Sequence, residues 1–440
     1  MARARAGVLA VALAAAVSAR AEDKPITLAE ALEAASRRNP EIVAARERAM
    51  AQAARAESVG RARWPRVLAS SGWSWTNNPS LVFAQKLNAG ELVQEDFAID
   101  RLNAPGGLAH LASTISVEAP IDVFGKVGAQ AGRHSALGRA DAAAVREAAQ
   151  ELRLRVIEAY RRADVARRAV VVTEGALAGA RSRESDMEAR VAEGATLQAD
   201  LLRARARRRE READLAERRG EARLGMATLS RLVGAPAGVS FFPVETAAAP
   251  GPILGDEEAW VARAVQGRAS VEDARHRLEG ARWAERVERR TVLPDVGVYG
   301  QLQDDRSGLD GGGRSATIGA LVRWAAFDPT RGRRAAAAAA ELRAAQEDLR
   351  AAQDQARLEI ESAYRRAEAA RERYAAAAGG TEEGREALRV IQERRESGIA
   401  TLTDELETEA ASLGAELSET RAAAEAAIAD AALARAAGEL

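Results

Sequence analysis

The sequence predicts a mainly α fold with a small β part, built as two tandem copies of one helical unit. Three observations carry this. Residues 121–235 and 330–440 contain no proline and are rich in Ala, Arg, Glu and Leu, the strong helix formers that a proline would interrupt. The motif Glu158-Ala159-Tyr160-Arg161-Arg162-Ala163 returns as Ser362-Ala363-Tyr364-Arg365-Arg366-Ala367, 204 residues later. Four further stretches alternate apolar and polar residues with period two, the mark of half-buried strands.

Composition narrows the function classes. The 440 residues carry 64 Lys+Arg against 65 Asp+Glu, no cysteine and three histidines. The lack of cysteine excludes disulfides, thiol nucleophiles and thiolate-bound metals. Balanced charge argues against a nucleic-acid partner, which selects for a basic excess. Aromatic residues make up 4%, so the helices are expected to pack closely on alanine.

Residues 1–21 read as a signal peptide. Arg3 and Arg5 form a basic start, Val8 to Val17 is apolar, and Ala19-Arg20-Ala21 is a small-x-small cleavage site,. The apolar run is too short to span a bilayer, and no later stretch approaches the length of a membrane helix. A secreted chain without cysteine points to a bacterial envelope.

The first copy is expected over residues 22–235 and the second over 256–440, with a proline-bearing linker at 236–255. In the first, long helices are expected at about 126–193 and 197–233; in the second, at about 331–396 and 401–438. Val145, Ala149, Leu152, Val156, Ala159, Ala163, Ala166 and Val170 follow alternating steps of four and three. Leu349, Ala356, Ile360, Ala363, Ala367, Ala370 and Tyr374 keep the same register, with Gln353 as one polar slip. This 3.5-residue period implies a left-handed supercoil. At 1.5 Å per residue the first long helix would run to about 100 Å. On the helices alone, a solvated rod or coiled coil without a channel stays open.

The strands are expected at about 66–76, 112–120, 294–303 and 314–325. Each is about as long as a tilted outer-membrane strand. Trp73, Trp75 and Trp324 suit an aromatic girdle at the lipid–water boundary. Four strands cannot close a barrel, and an open edge is not tolerated in lipid. Three copies would supply a twelve-stranded trimeric β-barrel. Between the first two strands a long connection, Asn77 to Leu111, carries Phe83, Lys86, Asp96, Phe97, Asp100 and Arg101, and reads as an extracellular loop. The shorter one, Asp304 to Arg314, holds Gly311-Gly312-Gly313, which lacks the Gly-Lys-Ser/Thr of a phosphate loop. Its Asp304, Asp305 and Asp310 do not have the spacing of a calcium loop.

Other features point to no chemistry. The run from Arg203 to Arg211 is followed by acids on the same predicted helix and reads as a salt-bridged face. His110, His134 and His276 have no metal-site spacing. No catalytic constellation, cofactor motif or metal site is expected.

The whole pattern resembles the TolC-like outer membrane efflux protein family. The residues that carry it are Arg190-x-x-x-Gly194-Ala195-Thr196-Leu197 with Asp200, doubled as Arg394-x-x-x-Gly398-Ile399-Ala400-Thr401-Leu402. Asn39-Pro40, Trp64-Pro65, Leu293-Pro294, Pro120-Ile121-Asp122-Val123-Phe124-Gly125 and Phe327-Asp328 support it. The resemblance implies a homotrimer with a β-barrel in the outer membrane and a long α-barrel in the periplasm. It implies that the turns between paired helices, here Arg190, Gly194, Ala195, Thr196 and Arg394, Gly398, Ile399, Ala400, meet a periplasmic adaptor linked to an inner-membrane pump. It also implies a pore constriction from inward carboxylates, here Asp404 and Glu407. The expected function is thus the exit duct of a tripartite efflux system. The exit channel of type I protein secretion is the near alternative, and a soluble periplasmic coiled-coil adaptor or scaffold the distant one.

Overall fold

The computed structural model describes residues 22–236, 238–307 and 312–440. The expected signal peptide at 1–21, and Asp310 and Gly311 of the short connection, lie outside the described residues. In chain order the elements are β1 (Glu22–Ile26), α1 (Leu28–Arg38), α2 (Pro40–Arg61), β2 (Arg66–Thr76), α3 (Pro79–Ala89), a 3-10 turn (Gln94–Phe97), α4 (Ile99–Asn103), β3 (Leu108–Ile121), α5 (Lys126–Ala192) and α6 (Gln198–Val233). Then follow β4 (Val239–Pro243), α7 (Glu257–Gly267), α8 (Ala269–Arg290), β5 (Asp295–Arg306), β6 (Gly313–Arg323), α9 (Arg331–Glu396) and α10 (Leu402–Ala437). The helical series occurs twice. Even the caps correspond: Thr27 and Glu30 form a capping box at the start of α1, and Asp256 accepts from the Ala259 amide at the start of α7,.

The chain divides into two compact units. One combines residues up to Arg48 with Ala142–Asp273 and Arg350–Leu440; the other combines Ala49–Asp141 with Ala274–Leu349.

The first unit is helical and has two apolar clusters. Ile26, Ala35 and Ile42 meet Leu152, Val156, Tyr160, Leu229 and Val233 in one. Ala264 meets Ile360, Ala363, Ala367, Leu433 and Ala437 in the other. The seam positions Leu152, Val156, Ala159 and Ala163, and Ala356, Ile360, Ala363, Ala367 and Ala370, are all buried. Alanine at these places lets the helices approach closely.

This unit also holds a parallel pair, β1 with β4, in the register Glu22↔Val239 to Ile26↔Pro243. Strand β4 lies inside the stretch that reads as a linker. Five residues are too few for alternation to stand out, and the pair is fixed from outside. Tyr160, fully buried, donates its hydroxyl to the Ile26 carbonyl at 3.0 Å. The same oxygen accepts from the amides of Val244 and Glu245, at 3.2 and 3.0 Å.

The second unit contains an antiparallel sheet in the order β2-β3-β5-β6. Its strand ends differ from the alternation pattern where pairing decides them. β3 starts at Leu108 rather than 112, because Leu108 to Leu111 pair with Thr76 to Trp73. β6 stops at Arg323, opposite Asp295. The next partner is Pro294, which has no N–H to give a ladder. Trp324, expected within the strand, instead follows it and donates its indole N–H to the Val292 carbonyl at 2.9 Å. The connection expected as a long loop contains α3, the 3-10 turn and α4. Asn78 caps α3, accepting from the Leu81 amide, with Pro79 at the first helical position,.

Candidate functional site

Two helix–helix turns of the first unit have the same construction. After α5, the Ala195 amide donates to the Arg190 carbonyl at 2.8 Å and the Gly194 amide to Val191 at 3.0 Å. After α9, Ile399 donates to Arg394 at 2.8 Å and Gly398 to Arg395 at 2.9 Å. This pair of crossed bonds needs a left-handed residue at its centre, and Gly194 and Gly398 have φ of 70° and 73°,. A Cβ at either glycine would meet nothing within 4 Å. The turns are therefore unobstructed, and Leu197 and Ile399 beside them are 71% and 76% exposed. Arg190 and Arg394 are exposed at the last turn of their helices, where cations complement the helix dipole,.

The two helices that leave these turns begin differently. Thr196 Oγ1 reaches Asp200 Oδ2 at 3.2 Å before α6. Before α10, Thr401 and Asp404 form a full capping box: the Thr401 amide and hydroxyl donate to Asp404 Oδ2 at 2.9 and 2.7 Å, and the Asp404 amide donates to Thr401 Oγ1. The Thr401 hydroxyl, then its amide, hold the Asp404 carboxyl below its ordinary value,. Glu407, one turn on, points elsewhere: Arg183 of α5 lies 3.3 Å from it. Arg395 pairs with Glu405 across the second turn. The two acids proposed for a constriction thus share a helix and are both exposed, but each has its own partner within the chain.

In the second unit the sheet separates its faces. On one face lie Val67, Ala69, Trp73 and Trp75 of β2, and Ile115, Val117, Ala119 and Ile121 of β3. Val296, Val298 and Leu302 of β5 and Ala316, Ile318, Ala320 and Val322 of β6 share it by register, and toward its Trp73 end so do Ser71, Ser113, Asp304, Arg306 and Arg314. Most are exposed, Ile318 to 90%. The other face carries Ser70, Ser74, His110, Thr114, Ser116, Glu118, Gln301, Gln303, Asp305, Ser315 and Thr317. Trp73 stands in the row of Leu111, while Trp324 follows the row of Ile121, Val296 and Val322 at the opposite end. The uncharged apolar rows run from Ile115 with Leu302 to Ile121 with Val296, six residues along β3, about 20 Å of strand, or about 16 Å of height at a tilt near 40°,. The next rows toward Trp73 carry Asp304, Arg314 and Arg306. The Trp73 and Trp324 rows bracket this band, with the charged rows at the Trp73 end. Among the described residues, strands β2 and β6 have one unpaired edge each.

A buried charge cluster in the first unit escapes sequence reasoning. Arg268, 3% exposed, lies between α7 and α8. Its Nη2 is 2.7 Å from Glu359 and 3.1 Å from Glu147. Arg435 stands 2.7 Å from Glu359, 3.2 Å from Glu147 and 3.1 Å from Glu151. Burial pushes the Glu359 carboxyl up, but a hydrogen bond from Gln355 and the charges of Arg268 and Arg435 outweigh it and hold the group below its ordinary value. The 229-residue offset that aligns Pro65 with Pro294 also aligns Asn39 with Arg268. In the first copy the buried Asn39 donates to the Leu232 carbonyl at 3.1 Å. The exchange of Asn for Arg at matched positions was the available signal.

Among the described residues no helix is long and apolar enough to cross a membrane. A family model described as "Outer membrane efflux protein" matches residues 31–235 and 260–439. Comparison with curated protein sequences gives no match. Among solved structures, the outer-membrane channel OprN is similar at TM-score 0.72 and 21% identity, over 94% of this chain and 90% of that one. The outer membrane protein VceC from Vibrio cholerae is similar at 0.70 and 19%, over 93% and 96%. The Campylobacter jejuni CmeC outer membrane channel is similar at 0.75 and 16%, over 94% and 85%.

Proposed function

The chain belongs to the outer membrane efflux protein family, and from that premise we propose that three copies form the exit duct of a tripartite efflux system. The observation that carries the reading is the four-stranded sheet. It has an exposed, largely apolar face bracketed by tryptophans, a polar face opposite, and, among the described residues, two open edges. An exposed apolar face this extensive calls for an apolar surrounding. Open edges in lipid must be paired, so β2 of one copy meets β6 of the next and three copies close twelve strands. The polar face then lines a water-filled lumen.

The long helices of three copies continue the passage through the periplasm. Conduction needs no chemistry from this chain; an inner-membrane pump supplies the energy. The open turns at Gly194 and Gly398, with Arg190, Ala195, Thr196, Arg394, Ile399 and Ala400 around them, receive the hairpin of a periplasmic adaptor. Asp404 and Glu407 follow the second turn, so threefold symmetry sets their carboxylates in rings that favour cations at the periplasmic entrance. Trp73 and Trp75 anchor one membrane boundary and Trp324 the other.

Membrane fractionation followed by planar-bilayer recording tests this. The expected result is a detergent-extracted trimer from the outer membrane that conducts. A water-soluble monomer without conductance refutes it.

A further inference from the structure

Residues 77–107 connect β2 to β3, and α3 within them lies on the polar face of the sheet. Gln85 Nε2 donates to Ser74 Oγ at 3.4 Å, and Ser74 belongs to that face. A Cβ at Gly313, which pairs with Asp305, would stand 1.7 Å from the Asn88 carbonyl oxygen, so only glycine admits α3 here. Beneath this cover His110 and Asp305 are 6% and 2% exposed and 3.0 Å apart. The segment is stapled to itself by Lys86 and Asp96, 2.7 Å apart, and by the edge-on rings of Phe83 and Phe97. Val82 and Ala89 are buried. On the other side of α3, Leu81 and Leu87 are 52% and 57% exposed, with the exposed Ala84 between them at helical spacing.

Under the exit-duct reading, on which this inference rests, the polar face is the inner wall. Twelve strands about 4.8 Å apart and tilted near 40° close a cylinder of about 12 Å radius. A helix stacked on the inner wall has its axis about 10 Å from the sheet. Three helices in contact have axes about 8 Å apart, so about 5 Å from the threefold axis. The close approach that Gly313 gives α3 sets it nearer the wall than about 10 Å, and the three copies then span the lumen and touch. We propose that Leu81, Ala84 and Leu87 of the three copies meet on that axis and form an apolar stricture at the outer mouth of the duct. The occupant of the exposed stripe is thus the same stripe of the sister copies. An apolar constriction opposes water and ions by dewetting.

The chain has no cysteine, so Leu87→Cys places a single reporter thiol on the stripe. In solubilised trimers, oxidation is expected to join two of the three copies. Leu87→Asp, and separately Gly313→Val, which displaces α3 without altering the stripe, are expected to raise single-channel conductance about twofold or more. Intact trimers that conduct as the parent does in both variants, and whose new thiols do not pair, overturn the stricture and leave the duct standing. Failure of the unaltered protein to form a conducting trimer overturns the duct and the stricture with it.

Discussion

Arg183 of α5 and Glu407 of α10 lie 3.3 Å apart, so the helix that leaves the second turn is tied to the helix that enters the first. Glu407 is 61% exposed at its side chain and Arg183 25%. Water and salt screen such a pair, which limits its worth to about 0.5 kcal/mol. Its effect is on position. Glu407→Gln should leave thermal stability nearly unchanged and raise the open probability of the trimer in planar bilayers. Exchanging the two charges, Arg183→Glu with Glu407→Arg, should restore the parent behaviour. Equal open probability in all three proteins would remove the pair from any role at the entrance.

The two glycine turns give a prediction in which stability and binding separate. Gly194 and Gly398 hold φ near +70°, where a side chain costs about 1 kcal/mol. No neighbour would clash. Gly194→Ala or Gly398→Ala should therefore cost that backbone strain and little more, read as a small fall in the unfolding midpoint. Gly194→Leu and Gly398→Leu add bulk at the open surface and should also abolish crosslinking to the adaptor. Leucine variants that still crosslink fully would show that the turns are caps alone.

Acid should loosen the start of α10. The Asp404 carboxyl is held below its ordinary value of 3.8 by the Thr401 hydroxyl and amide. A depressed carboxylate contributes its stabilisation above the unfolded pKa and loses it as pH falls through the folded one. Hydrogen exchange of the amides of residues 402–406 should thus be constant from neutral pH to about pH 4, after the intrinsic correction, and quicken below it. Asp404→Asn should show the quickened exchange at every pH. An unaltered pH profile in that variant would contradict the capping box as the cause.

The apolar face of the sheet predicts an effect of depth. Ile318 stands beside Gly300 and, through it, Val117, in the middle of the band, and is 90% exposed in the single chain. Ile318→Arg should cost about 2–4 kcal/mol of membrane stability. The same change at Thr317, on the polar face, should cost far less. Trp73→Ala, Trp75→Ala and Trp324→Ala should each slow insertion into vesicles without preventing trimer formation. Equal tolerance of arginine on the two faces would mean that the face is not against lipid.

How much of this was legible in the sequence depended on the range of the interaction that decides each feature. The long helices and the sheet faces follow from local periodicity, so Leu152, Val156, Ile360, Trp73 and Ile318 could be placed from their spacing. Strand ends depend on a partner: Leu108 is strand because Thr76 is opposite, and Trp324 is not because Pro294 is. The β1–β4 pair depends on Tyr160, more than a hundred residues from Ile26. The α3 segment was legible in Asn78-Pro79 as a capped helix start, but its docking depends on Gly313, which is remote in sequence. The turns at Gly194 and Gly398 could be found because the doubled motif marks them. Asp404 enters only through the family resemblance, while its bond to Thr401 is legible in the spacing Thr-x-x-Asp.

The cluster around Arg268 sets the sharpest test of how the two copies diverged. In the first copy a neutral Asn39 satisfies one backbone carbonyl. In the second, Arg268 stands between Glu147 and Glu359 and brings elements of both copies to one point. Removing one member of a buried ion cluster leaves the remaining charges short of a partner, at a cost of about 3–5 kcal/mol. Arg268→Asn, which copies the first repeat, should therefore destabilise strongly, because Arg435 alone must then balance Glu147, Glu151 and Glu359. Adding Glu147→Gln and Glu359→Gln removes the unbalanced charge and should recover most of the loss, since neutral replacements of a whole buried cluster are often tolerated. Thermal unfolding of the detergent-solubilised trimer separates the cases. If the single variant and the triple variant melt together, the cluster is a packing feature and its charges contribute nothing to joining the copies.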